Sequence, residues 1–410
     1  MPSAAPVPRG PTVLTLYSAM DLLTGPGCPA CRYAGEAEDR YLAWFAFEAH
    51  ADAGMITRLC SSLGMCPRHT RGLMCQPGAA RRLTALYRYI LPAARDQLGG
   101  RAARPGDCPA CEHDGAAVGR ALDTLLDGLA DEPVREHYRR LGGLCIPHLR
   151  AASQRTAPQV AAWLAGILSE AAATRSTGAG WLTGADTDAR PRAALRHAMP
   201  ANGRPGPGTC AACQAAARAE TSHLAGMLRA CDHHPDRRML LCAGHLSDLI
   251  VLANPHTRAL VTWQADCLTA ALAPYVPSPD RETSRPVIWP WSRRRRAARL
   301  DACPLCVARD SAVLQAAKDV RAALSAARQV PGREVPLCVR HLLSLNAADP
   351  RAGQLAAPAA AELAETLITE LDEAFSKSTW ARRSEAAGPE MTAWRRAAAF
   401  LDGSVLLGCP

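Results

Sequence analysis

Four times along the chain a Cys-x-x-Cys pair is followed by a Cys-x-x-His pair, always in that order. The first copy is Cys28 and Cys31, then Cys66 and His69. The second is Cys108 and Cys111, then Cys145 and His148. The third is Cys210 and Cys213, then Cys242 and His245, and the fourth is Cys303 and Cys306, then Cys338 and His341. Between the inner cysteines lie 34, 33, 28 and 31 residues. One Cys-x-x-Cys in a cysteine-rich chain says little. Four ordered copies mark an internal repeat with a ligand set built into it. Any fold for this chain must bring sulfurs and an imidazole together four times.

The repeat divides the 410 residues into four tandem modules, each long enough for a modest core. Module 1 spans 1–100 and module 2 spans 101–175. A Gly/Pro/Thr/Ala-rich segment at 176–205 reads as a flexible linker. Module 3 follows at 206–276. A second linker at 277–299 combines prolines, Trp289, Trp291 and the run Arg293 to Arg296, and module 4 with a C-terminal helix occupies 300–410. Only a short Gly/Arg/Pro stretch joins modules 1 and 2, so 1 with 2 and 3 with 4 are the expected pairs.

Within module 2, Val118, Leu122, Leu125, Leu126 and Leu129 share one face of a 3.6-residue helix. Asp131 offers an N-cap and Pro133 a first turn for a second helix carrying Val134, Tyr138 and Leu141, which Gly142 and Gly143 end. Cys145 to His148 opens a third, and Val160, Trp163, Leu164, Ile167 and Leu168 align on a fourth. Module 4 repeats the scheme with Val313, Leu314, Ala317, Val320 and Leu324, then Leu363, Leu367, Ile368, Leu371 and Phe375. Alternating strand patterns are scarce. The expected fold is all-α: four tandem helical modules, each pinned by its own zinc site.

Zinc is the expected ion because it takes tetrahedral sets of thiolate and imidazole, with Zn–S about 2.3 Å. Cys-x-x-Cys on a tight turn aims two sulfurs at one point, and proline at 29, 109 and 304 presets that turn. Cys-x-x-His on a helical turn supplies the other two ligands, since residues i and i+3 share a face. Four Zn²⁺ ions in Cys₃His sets are therefore expected. An iron–sulfur cluster is the alternative. Thioredoxin-like redox chemistry lacks its βαβ setting. Covalent haem is excluded, because Arg32, Glu112, Gln214 and Val307 stand where a haem-binding histidine would follow.

The start of the chain has one arginine and is broken by prolines, unlike a signal peptide, and no run approaches the roughly 18 apolar residues of a membrane span. A cytoplasmic location is expected, with no membrane partner. Thiols stay reduced there, so 17 cysteines argue for metal over disulfides. Cys60, Cys75, Cys231, Cys267 and Cys409 fall outside the repeat and read mostly as small core residues. Cys231 with His233 and His234 reads as a polar turn rather than a further site. Three thiolates and one Zn²⁺ leave each site one negative charge, which lowers the formal +9 to about +5. That mild balance does not announce nucleic acid.

"CPAC" followed by "GLCIPH" at 143–148 resembles an uncharacterised bacterial family of small helical CPxC…GLCxxH proteins. The resemblance covers each module but not the linkers, and module 3 departs from it with Ala211 in place of proline. It implies metal binding and carries no activity with it.

No GxxxxGK[ST], GxSxG or HExxH signature is present, and "GRPGPG" is broken by proline. A catalytic zinc keeps one position open, whereas these sets are complete. The expected function is a zinc-stabilised helical repeat that serves as a binding scaffold, the closed four-ligand sites and the lack of a catalytic motif leaning against an enzyme. Its partner would be a protein or nucleic acid, met through Arg293 to Arg296 or inter-module grooves. The alternative is a metalloenzyme of a bacterial biosynthetic pathway, with its pocket between modules and a zinc–thiolate or iron–sulfur site.

Overall fold

A computed structural model describes residues 12–25, 27–99, 106–174, 210–230, 303–327 and 337–403, with residues 241, 245, 263, 264, 266, 267 and 270. Among the described residues the structure is all helical, with fourteen α-helices and no strand. No helix there is long and apolar enough to cross a membrane. The Arg293 to Arg296 run, Cys231, Cys242 and Cys409 lie outside the described residues.

The first nine helices are α1 (Val13–Leu22), α2 (Pro29–Phe47), α3 (Ala53–Ser62), α4 (Pro67–Met74), α5 (Ala79–Gly99), α6 (Pro109–Gly128), α7 (Glu132–Leu141), α8 (Ile146–Ser153) and α9 (Pro158–Thr174). Then come α10 (Ala211–Ala230), α11 (Pro304–Ala327), α12 (Val339–Ala348), α13 (Pro350–Lys377) and α14 (Ala393–Asp402).

The chain forms two compact units, and neither is a continuous stretch. One takes residues 1–36, 115–197 and 220–308, the other 37–114, 198–219 and 309–410. Each unit therefore contains part of every repeat. Four of the five divisions fall inside α2, α6, α10 and α11, the four helices that open on a Cys-x-x-Cys pair, and the fifth lies outside the described residues. Four consecutive modules are not what the chain's contacts outline.

Each unit has its own core. The first gathers Leu122, Leu125, Leu129, Val134, Tyr138, Leu149 and Leu164 around α6 to α9. The second gathers Leu42, Phe45, Leu59, Leu83, Ile90, Leu91, Leu367 and Leu371. Burying one such side chain contributes about 1.5–3 kcal/mol. In the second unit α13 packs along α5 and α12, burying Ala352, Gly353, Ala356, Ala360 and Ala364 and then Leu367 and Leu371, with Gly353 against Asn346 of α12. Asp349 caps α13, accepting from the Arg351 and Ala352 N–H groups.

The periodicity of module 2 matches α6 to α9, and Leu122, Leu125, Leu126 and Leu129 are all buried. Asp131 sits at the N-cap of α7, although its side chain makes no capping hydrogen bond. Gly142 ends α7 in the left-handed region at φ 87°. In module 4 the early stripe is only partly right. Val313, Ala317 and Val320 pack on the core, whereas Leu314 stands exposed, because a helix one residue off the stripe turns that position by about 100°.

Candidate metal centre

Every described lead cysteine of the repeat occupies the same place, the residue just before a helix. The carbonyls of Cys28, Cys108, Cys210 and Cys303 accept from the amides of Arg32, Glu112, Gln214 and Val307, four residues on. Those of Cys66, Cys145 and Cys338 accept in the same way from Thr70, Leu149 and Leu342. The second ligand of each pair lies three residues along, on the same face of the first turn. The Cys-x-x-Cys pairs are thus helix starts and not free-standing turns. Proline at 29, 109 and 304 is the first helical residue, where its missing N–H costs nothing. Ala211 does the same work in the third repeat. Cys66, Cys145 and Cys338 make no side-chain cap hydrogen bond, which leaves each sulfur for the cluster.

A buried apolar residue seats each Cys-x-x-His: Met65, Leu144, Leu241 and Leu337 precede its cysteine, and all are buried. Ahead of Leu144, Gly143 adopts φ 89°, and a Cβ there would meet the Tyr138 hydroxyl at 2.9 Å. That hydroxyl accepts from the Leu144 amide at 3.0 Å. The "GGLC" lead-in is therefore a tight approach over a buried tyrosine.

Among the described residues four groups of cysteine and histidine ligands form, and Glu38, His69 and Asp114 make a fifth group of potential ligands. Site I holds Cys28, Cys31, Cys145 and His148, and site II holds Cys66, His69, Cys108 and Cys111. Site III holds Cys210, Cys213, Cys338 and His341, and site IV holds His245, Cys303 and Cys306. Cys242, the expected fourth ligand of site IV, is outside the described residues. Sites I and IV lie in the first unit, and sites II and III in the second.

This grouping departs from the expected one, in which each repeat closes on itself. Repeats 1 and 2 exchange halves, and so do repeats 3 and 4. Helix length accounts for the difference. The 19 residues of α2 carry the chain about 28 Å from Cys28, and the ten residues of α3 cover only about half of that on the way to Cys66. A spacing of 34 residues holds two helices, but unequal ones, so the hairpin does not return to its start.

The donor atoms suit a four-coordinate ion. In site I, His148 Nδ1 lies 3.5, 3.2 and 3.2 Å from the sulfurs of Cys28, Cys31 and Cys145. In site II, His69 Nδ1 lies 3.2, 3.6 and 3.4 Å from Cys66, Cys108 and Cys111. Site III repeats the pattern, with His341 Nδ1 3.3, 3.4 and 3.2 Å from Cys210, Cys213 and Cys338. In site IV, His245 Nδ1 is 3.4 Å from both Cys303 and Cys306. A tetrahedral ion with metal–sulfur bonds of about 2.3 Å and a metal–nitrogen bond of about 2.0–2.1 Å has nitrogen–sulfur edges of about 3.5 Å, close to these spacings. Paired helix N-termini favour thiolates there.

Crowding three thiols without a cation forces them apart in acidity. The Cys111 contact holds Cys108 far below the ordinary thiol range, and the Cys108 contact pushes Cys111 far above it. Burial alone would lower His69, but the sulfurs of Cys108 and Cys66 raise it to about 9. Burial likewise opposes protonation of His245, and Cys303 and Glu220 raise it to about 10. A divalent cation would supply the positive charge that this set lacks.

Sequence reasoning missed several features of these surroundings. Glu38 Oε1 lies 3.6 Å from His69 Nε2, and Glu220 Oε1 lies 3.1 Å from His245 Nε2. Both glutamates stand ten residues after the first cysteine of their own repeat, a regularity visible in the sequence. At site III the end of α14 comes close: a Cβ on Gly403, at φ 73°, would meet Cys213 Sγ at 2.3 Å. No spacing rule points there. Cys75 is disulfide-bonded, which departs from the expectation of reduced thiols. Neither Cys60 nor Cys267 forms a disulfide.

Comparison with known proteins adds no relative: no family model matches the chain, and no curated protein or solved structure does.

Proposed function

We propose that this chain is a zinc-stapled helical scaffold that binds a protein or nucleic-acid partner. The observation that carries the reading is the completeness of the ligand sets. Sites I, II and III each gather three sulfurs and one imidazole nitrogen, which fills a tetrahedron and leaves no position for water or substrate. Such a site contributes folding energy instead of chemistry. Thiolate-rich donors favour zinc over hard cations. The ions would be held by Cys28, Cys31, Cys145 and His148; by Cys66, His69, Cys108 and Cys111; by Cys210, Cys213, Cys338 and His341; and by Cys242, His245, Cys303 and Cys306.

Metal analysis with a visible spectrum, followed by thermal shifts against DNA, RNA and a metabolite panel, tests the reading. The expected result is close to four zinc ions per chain, a colourless protein, and stabilisation by nucleic acid or by a protein partner. Brown protein with sulfide-to-iron absorbance would replace zinc by an iron–sulfur cluster. Stabilisation by a metabolite alone would favour the enzyme.

A further inference from the structure

We propose that Glu38 and Glu220 are positioning residues that fix the ligating histidines of sites II and IV through their far ring nitrogens. The inference rests on those groups being metal sites. It says which side chains, beyond the ligands, set how firmly two of the ions are held.

The same pairing recurs in two separate places, as a 3.1 Å hydrogen bond at His245 and a wider 3.6 Å approach at His69. His69 is fully buried, its Nδ1 turned to three sulfurs and its Nε2 without a hydrogen-bond partner but facing Glu38. Glu38 is itself buried, and Arg68 pairs with its other oxygen and with Asp114. In the other unit, His245 turns Nδ1 to Cys303 and Cys306, and its Nε2 meets Glu220. An imidazole that binds an ion through Nδ1 must carry its proton on Nε2. A carboxylate accepting from that N–H selects this tautomer, fixes the ring plane and strengthens the Nδ1 lone pair. Arg68 already supplies the positive charge beside Glu38 and Asp114, so this cluster serves the histidine and does not ask for a second cation.

The sequence distributes the device in alternation. Ten residues after the first cysteine stand Glu38 and Glu220 in repeats 1 and 3, but Val118 and Val313 in repeats 2 and 4. The exchange of halves explains why the glutamates are useful where they are. Glu38 rides on α2, whose own cysteines serve site I, yet it meets the histidine of site II. Glu220 rides on α10, whose cysteines serve site III, yet it meets the histidine of site IV.

The test uses the full-length, zinc-loaded protein under reducing conditions, with a chromogenic chelator as the competitor for metal and ¹⁵N spectra of the histidine rings. Glu38→Ala should weaken the hold on one ion by about 10- to 100-fold and blur the Nε2–H tautomer of His69, while the other ions keep the parent's behaviour. Glu38→Gln, which keeps the volume and an accepting oxygen, should restore part of the loss. Glu220→Ala and Glu220→Gln should do the same for a different ion. The effect is measured within one site, because differences in burial also set how fast each ion escapes. Unchanged affinity and tautomer in both alanine variants overturns the proposal, and so does equal loss from every site. If Cys66→Ser leaves the ion count of the parent intact, the reading of site II as a metal centre fails instead, which keeps the two failures apart.

Discussion

Sites I and II are built by the same two repeats from the same set of three cysteines and one histidine, yet their surroundings differ. Site I buries Cys28 and Cys145, and α6, whose cysteines serve site II, carries Val118 at the position of the glutamate. Site II leaves Cys111 exposed, and sets Glu38, Arg68 and Asp114 around its histidine. The motif therefore chooses the ligands, and the flanking helices choose how reachable and how firmly oriented they are. A reader of the motif alone would call the two sites copies. They are two solutions to one ligand set.

The largest effect that could break this comparison comes from paired cysteine variants. Zinc in small finger peptides is worth about 10–16 kcal/mol, against about 5–15 kcal/mol for a whole domain. Losing one ion should badly loosen its unit. Cys28→Ser with Cys145→Ser should cost one ion, because both belong to site I. Cys28→Ser with Cys66→Ser should cost two, although those residues share a repeat. Native mass spectrometry counts the ions directly, and the reverse result would restore self-closing modules.

Acidity should separate the metal-loaded from the metal-free protein. Without metal, His69 at about 9 and His245 at about 10 lie above the ordinary 6.5. A raised folded value stabilises fully below the unfolded one and is lost as pH rises through the folded value. His69 faces Cys66, Cys108, Cys111 and Glu38, so no nearby cation replaces its proton except Arg68. Cys108, held low, sheds on folding the proton that offsets the one His69 takes up between about pH 6.5 and 9. The stripped protein's loss of thermal stability from about pH 6.5 to about pH 10 should therefore come from His245. The loaded protein should gain stability as pH rises from acid, because its ligands must shed protons to bind. Melting curves whose pH slopes run parallel with and without metal would count against both sites.

Much of this was legible in advance. The helical class, the stripe at Leu122 to Leu129 and all four ligand motifs follow from spacing and periodicity. The exchange of partners was not, because residue spacing gives the length of the intervening chain but not the unequal lengths of α2 and α3. Glu38 and Glu220 were visible as a regularity with no reason attached until their distances to Nε2 were known. Gly403 shares no motif with Cys213 and approaches it only through the fold.

That approach gives a smaller prediction. Gly403→Ala places a methyl against Cys213 Sγ and asks alanine to adopt φ 73°, strain of about 1–3 kcal/mol. Site III should loosen alone, seen as one ion released early on chelation. Release of a site II ion instead would show that α14 acts through Thr70, whose hydroxyl lies 3.3 Å from Asp402. The smallest effect belongs to Cys60→Ser. Its thiol donates to the Tyr89 carbonyl at 3.5 Å and serves no site. The change should cost about 1 kcal/mol and keep every ion. A missing ion in that variant would reopen the assignment of Cys66.

The trading of halves between neighbours also sets an arithmetic on how such chains can lengthen or shorten. Remove one repeat, and its neighbour keeps a two-cysteine half and a cysteine–histidine half with no mates. Add one, and the newcomer is left in the same state. Copies must come and go in twos, unless a second polypeptide brings the missing halves. Parity is thus written into the ligand geometry, and a chain with an odd number of these repeats would have to find its complement in another molecule.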